Sequence, residues 1–270
     1  MTTHESGPGT KAGARPADGA GFDPGAEFDR QLDRLLALGY PGLAGRTEAD
    51  FTALVRPLRE TVLALGPTMA APSESRTPFL LVVDRTLAPV ERTVPLTTLD
   101  GRAGAGVVDR HYPAGDIERF VPVEGLGLPR GPVHLLLDAD RGEEFCGVVP
   151  KDAMATVAGR GRSPLTMEEG IAFVTLHPRA LARNKCFSLG ASRCGDRRVP
   201  ALWISRGAPK LGWCWEGNPH SWLGMASAGG RGGAAGGAGA GGPPGGRGSP
   251  ARAPPRAGGG GAPPHPPPPP

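Results

Sequence analysis

The chain has 270 residues, 39% of them hydrophobic, with 30 Lys+Arg against 26 Asp+Glu and a formal net charge of +4. That length supplies one or two domains, and the absence of any run near the ~18 apolar residues of a membrane-spanning helix excludes an integral membrane protein of that kind. The charge excludes a basic nucleic-acid-binding core. Four arginines (Arg231, Arg247, Arg252, Arg256) lie after residue 228 with no acid beside them, so the rest of the chain carries 26 basic and 26 acidic residues. Nucleic acid is therefore not the expected partner of the neutral part, and weak contacts with anionic surfaces fall to the tail arginines.

The first 22 residues, rich in Gly, Ala, Thr and Pro, read as a loose leader, and Met1–Gly7 lacks the basic start and apolar run of an export signal. Asp23-Pro24 then supplies an N-cap and a first-turn proline, Phe28, Leu32, Leu35 and Leu36 recur at helical spacing, and Gly39 stands where a helix ends. Thr47 with Asp50 opens a second helical stretch through Leu65, which Pro57 must kink or divide.

Phe79–Val83 is a short apolar run after Pro78 and predicts a buried strand, as does Val133–Asp138. Val94–Leu99 before Asp100-Gly101 predicts a strand and a turn, with Pro95 putting it at an edge. Helices are expected over 150–157 and 166–176, the second opened by a Thr166-x-x-Glu169 capping box and stopped at His177-Pro178. Pro200–Ser205 and Lys210–Trp215 form a hairpin around a longer Arg206–Pro209 loop, with Leu211, Trp213 and Trp215 sharing one face. Elements in blocks rather than strict alternation predict an α+β fold: an N-terminal helical pair, a small mixed sheet and a C-terminal Trp-rich hairpin. Residues 23–228 form that single domain. Residues 229–270 hold 16 Gly and 12 Pro among 42, and are expected to be a disordered tail.

The C-terminal block carries a resemblance. Asn184–Ser188, Ser192–Ser205, Pro209–Trp215, Asn218–His220 and Trp222–Gly224, with Gly161–Thr166, His177-Pro178 and Leu38–Pro41, resemble a bacterial family of uncharacterised proteins, domain of unknown function 5701. The resemblance covers about residues 25–226 and implies no activity.

Within this block two chemistries are open. Cys186, Cys194, Cys214 and His220 are the donor types of a Cys3His zinc site, but their separations of seven, 19 and five intervening residues lack the close pairs of such sites, and buried free thiols are the favoured account of the cysteines. No other cofactor is implied. Arg193, Asp196, Arg197 and Arg198, beside Trp203, Trp213 and Trp215, make a candidate ligand or partner surface, since Arg binds carboxylate and phosphate through paired hydrogen bonds. Other signatures fail. Six residues rather than five separate Cys186 from Arg193, which misses the phosphatase loop, and no Lys follows Gly, which excludes a Walker A loop. Adjacent Glu168 and Glu169 face different ways on a helix and cannot act as a pair. The sequence thus points to a non-catalytic binding or interaction protein using residues 186–222, with a metalloprotein or enzyme built on the same cysteines and His220 as the alternative.

Overall fold

The computed structural model describes residues 21–234. Its helices are α1 (Pro24–Ala37), α2 (Tyr40–Leu43), α3 (Glu48–Val55), α4 (Leu58–Leu65), α5 (Val90–Thr93), α6 (Pro150–Gly159) and α7 (Met167–Leu176). Its strands are β1 (Arg76–Val83), β2 (Val107–Val108), β3 (Val121–Pro122), β4 (Val133–Asp140), β5 (Ser163–Pro164), β6 (Cys186–Ser188), β7 (Ser192–Arg193), β8 (Arg198–Ser205), β9 (Ala208–Trp215), β10 (Leu223–Met225), β11 (Ser227–Ala228) and β12 (Gly230–Gly232). The fold is α+β. Among the described residues no helix is long and apolar enough to cross a membrane.

Local chemistry sets the helices. Asp23 accepts from the backbone N–H groups of Gly25 and Ala26 and so starts α1, while Thr47 accepts from Asp50 and starts α3. Pro57 divides the second helical stretch into α3 and α4. α1 lies beside β1 and completes its open edge. Gln31, fully buried, donates to the Phe79 carbonyl (3.1 Å) and accepts from the Leu81 N–H (2.9 Å), so a side-chain amide replaces a missing strand. A buried edge left without these bonds costs the desolvation of each group.

Two five-stranded sheets follow. In the first, β1 pairs antiparallel with β4, and the far edge of β4 is taken by β11 and β12, with β5 beyond β11. In the second the order is β10-β6-β8-β9-β2, with β8 and β9 antiparallel over their full length and the outer strands parallel to their neighbours. β3 and β7 make a separate pair. The sheets share one core, in which Phe79, Leu135, Phe173, Phe187, Leu202 and Leu211 are fully buried. Each such side chain contributes roughly 1.5–3 kcal/mol by leaving water.

Three expectations change. Val94–Leu96 is a 3-10 turn continuing α5, not a strand: Pro95 suits a first-turn position, and Thr97 turns back to bond the Val94 carbonyl at 2.7 Å. The β8–β9 loop is two residues long, because Arg206 (φ 52°) and Gly207 (φ 78°) both adopt the left-handed conformation of a tight hairpin turn. Pro209 therefore lies inside β9. The domain also ends later than residue 228 and begins by Phe22, which packs on the core. Residues 1–20 and 235–270 lie outside the described residues.

The later ending has a cause in residue type. Arg231 of β12 reaches under the sheet to Glu169, the capping-box residue of α7. Glu169 is wholly buried; its Oε1 lies 2.5 Å from Arg231 Nε and 3.3 Å from His134 Nε2, and its Oε2 accepts from Arg231 Nη2 (2.8 Å) and the Thr166 N–H (2.8 Å). Arg231 also donates to Ser163 Oγ (2.5 Å) and the Pro164 carbonyl (3.1 Å). Burial pushes the Glu169 carboxyl up, yet the hydrogen bonds from His134 and Arg231 outweigh it and hold the group at about 2.

Removing one partner of a buried pair leaves an uncompensated charge. Arg231→Ala is therefore expected to cost about 3 kcal/mol at pH 7, lowering Tm by roughly 6–12 °C. Because the folded carboxyl lies below its usual value of 4.5, this contribution is present above that pH and fades as pH falls towards 2. Thermal melts of both proteins from pH 7 to pH 3 check this: the gap narrows on acidification, and a pH-independent gap contradicts the pairing.

Candidate functional site

The short β8–β9 turn and the alternation of side chains along β9 divide the tryptophans. Trp203 pairs with Lys210 in register, on the face that also carries Gly212 and Cys214; Trp213 and Trp215 occupy the opposite face. Gly212 makes the first arrangement feasible, since a Cβ there would lie 2.0 Å from the Trp203 ring. The indole thus rests on bare backbone. Trp222, just before β10, meets Trp203 edge to face with ring centroids 6.3 Å apart, and His220 lies against Trp222 at 5.2 Å.

These two indoles form one wall of a cleft of about 960 Å³. Its other walls come from distant segments: Asp100 and Arg102 after the 3-10 turn, Arg179 and Arg183 between α7 and β6, and Glu74 ahead of β1. Asn184 (φ 61°) completes the tight Ala182–Lys185 turn that presents Arg183, a conformation Asn tolerates well. Arg179 is held by Asp100 at 3.2 Å. Among the described residues Arg102 and Arg183 have neither an ion-pair nor a side-chain hydrogen-bond partner. Cys186, at the start of β6, lines the cleft with its thiol pushed up by burial.

The arginines of residues 193–198 are engaged elsewhere. Arg198 donates to both oxygens of Asp116 (2.5 and 3.2 Å) and to Asp196 (2.8 Å), with Phe120 and Trp213 rings 5.0 and 5.4 Å from its guanidinium. It ties β8 to the 116–120 segment. Arg193 donates to Glu216 at 2.6 Å, and the exposed Arg197 lies 3.5 Å from the same carboxylate. Trp213 and Trp215 pack on each other at 5.0 Å, and Trp215 stays 45% exposed. Of the sequence-derived surface, Trp203 alone lines the cleft.

The four zinc-type donors are separated. Cys194 lies 3.2 Å from Asp196 and 3.5 Å from Arg198, on the Trp213 face of the hairpin, while Cys214 points to the other face. Cys186 lines the cleft, and His220 rests on Trp222. Among the described residues no three His, Cys, Asp or Glu side chains come together in a manner that could hold a metal ion.

Of the residues that line the cleft, Trp203 and Cys186 are candidates on sequence grounds, but Arg102, Arg179, Arg183, Asp100 and Glu74 are not. Each stands alone in its segment, and only the fold brings them together. Trp222 was visible as one of four clustered tryptophans.

All four cysteines are free thiols, and each is pushed up from its ordinary value: Cys214 to about 11 by burial, Cys194 by burial and the Asp196 carboxylate, Cys146 by burial and Glu143. The thiolate is the reactive form. Iodoacetamide at pH 7 is therefore expected to modify Cys186 and Cys214 at least roughly tenfold more slowly in the native chain than after unfolding, as read by mass spectrometry of peptides. Equal rates would show an accessible, activated thiol.

No curated protein and no solved structure matches the chain. A family model described as "Family of unknown function (DUF5701)" matches residues 34–234, which includes β12 and Arg231. The chain belongs to this family of unknown function.

Proposed function

We propose that the protein is a soluble, non-catalytic binding protein, and that the cleft walled by Trp203 and Trp222 takes a small anionic molecule with a flat apolar part. The observation that carries this reading is the pair of guanidiniums, Arg102 and Arg183, that line the cleft without an acid partner among the described residues. Guanidiniums stay protonated throughout the physiological range, so they hold anions and do not transfer protons. The volume falls within the roughly 300–1,000 Å³ of small-molecule sites, and fixed indoles supply apolar contact area.

The separated Cys186, Cys194, Cys214 and His220 give the zinc-bearing alternative no comparable support. Free thiols throughout the described chain suit a reducing compartment, which supports a cytoplasmic location.

Ligand-detected NMR with a panel of aromatic carboxylates and phosphates tests the reading. Anionic members are expected to bind, with Arg102→Ala or Arg183→Ala weakening them roughly tenfold, as for a charge-assisted hydrogen bond at a partly open site. Affinity is also expected to fall as salt rises. Binding that ignores both substitutions places the ligand elsewhere.

A further inference from the structure

The lining of the cleft narrows the class of ligand beyond an anion with a ring. Resting on the reading of the cleft as an anion-binding site, we infer that it accepts a nucleoside monophosphate.

The argument starts from the charges. Three arginines (Arg102, Arg179, Arg183) face two acids (Glu74, Asp100), and Asp100 already holds Arg179. The two guanidiniums without acid partners meet the nearly two negative charges that one phosphate monoester carries at pH 7. Two guanidiniums free of acid partners, Arg102 and Arg183, supply the forked donors that a phosphate takes. A triphosphate or a polynucleotide strand would press further anionic groups against Glu74 and Asp100, and like charges at short range repel. One of these acids gives a second preference. Glu74, exposed and without a cation partner among the described residues, accepts hydrogen bonds and donates none, so a ligand that covers it gains by bringing O–H or N–H donors. A sugar with its hydroxyls or a base with its ring or exocyclic N–H groups brings such donors, whereas a simple aromatic carboxylate leaves Glu74 to water.

The third element is the indole wall. Trp222 is fixed between His220 and the edge of Trp203, and Trp203 is fixed on Gly212. Rigid aromatic surfaces stack bases with little further loss of conformational freedom. Anion forks, carboxylate acceptors and an aromatic wall within one 960 Å³ cleft thus correspond to phosphate, sugar or base donors, and base. The neutral charge of the chain outside the tail fits a mononucleotide better than a nucleic-acid strand, which needs a continuous basic track.

Isothermal titration of the full chain with AMP, GMP, CMP and UMP, and with adenosine, inorganic phosphate and ATP as comparators, tests the inference. At least one monophosphate is expected to bind at least tenfold more tightly than adenosine or phosphate alone, and more tightly than ATP. Arg102→Ala and Arg183→Ala are expected to reduce monophosphate binding about tenfold while leaving adenosine unchanged. Glu74→Gln is expected to change the order of preference among the four bases or to weaken all four. Both arginines and Glu74 are exposed, so these variants keep the fold. If no monophosphate binds while aromatic carboxylates bind in an Arg102-dependent way, the nucleotide class is wrong and the anion-binding reading stands. ATP binding more tightly than every monophosphate also overturns the class. If no anion of either panel binds with dependence on Arg102 or Arg183, both readings fall.

Discussion

A fully buried carboxylate organises the architecture. Glu169 caps α7 through Thr166, meets His134 near the start of β4, and draws Arg231 inward from a glycine-rich stretch with no apolar side chain of its own. Burying one charge is expensive, and the arrangement is stable only because every lone pair of the carboxylate has a donor. That requirement explains why the chain, after β11, continues along β4 as far as Gly232. Arg162 reinforces the closure from the other side: it donates to Ser227 Oγ (3.0 Å) and to the Asp138 carbonyl (2.6 Å), next to the point where Asp138 (φ 50°) interrupts β4.

The second sheet depends on a different local constraint. A two-residue turn at Arg206-Gly207 sets the register of β8 against β9, and a change of one residue would exchange the two faces. With the observed register, Trp203 joins Trp222 at the cleft while Trp213 and Trp215 turn away towards Arg198 and Phe120. The sequence neighbours of the tryptophans therefore serve two purposes. Arg198 with Asp116 is a strut. The cleft takes its cations from loops about 20 and 100 residues upstream of Trp203, where Arg183 and Arg102 lie.

Much of the fold was legible because it is written in short-range chemistry. The Asp23 cap, the Thr166–Glu169 box, the division at Pro57 and the apolar runs of β1 and β4 each need only a few neighbouring residues to be recognised, and each stands in the structure. The misreadings share a cause. Val94–Leu99 has a strand's composition, but Pro95 and Thr97 settle it as a turn through bonds a strand would not make. The expected start of the tail at residue 229 follows from composition, which averages over residues, whereas Arg231 has a buried partner and Gly230–Gly232 pairs with β4. The candidate site was the least legible part: the sequence singles out Trp203 of its indole wall, but the partnerless arginines acquire meaning only from what the fold does not place beside them.

The central claim is that ligand recognition belongs to the Trp203–Trp222 cleft and not to the Arg193–Arg198 and Trp213–Trp215 side of the hairpin. The indole N–H signals of the four tryptophans separate these directly. In a two-dimensional 15N–1H spectrum titrated with AMP, the cleft assignment predicts that the Trp203 and Trp222 indole signals shift together along one binding curve while those of Trp213 and Trp215 stay in place. Shifts confined to Trp213 and Trp215 would contradict it and return the site to the opposite face.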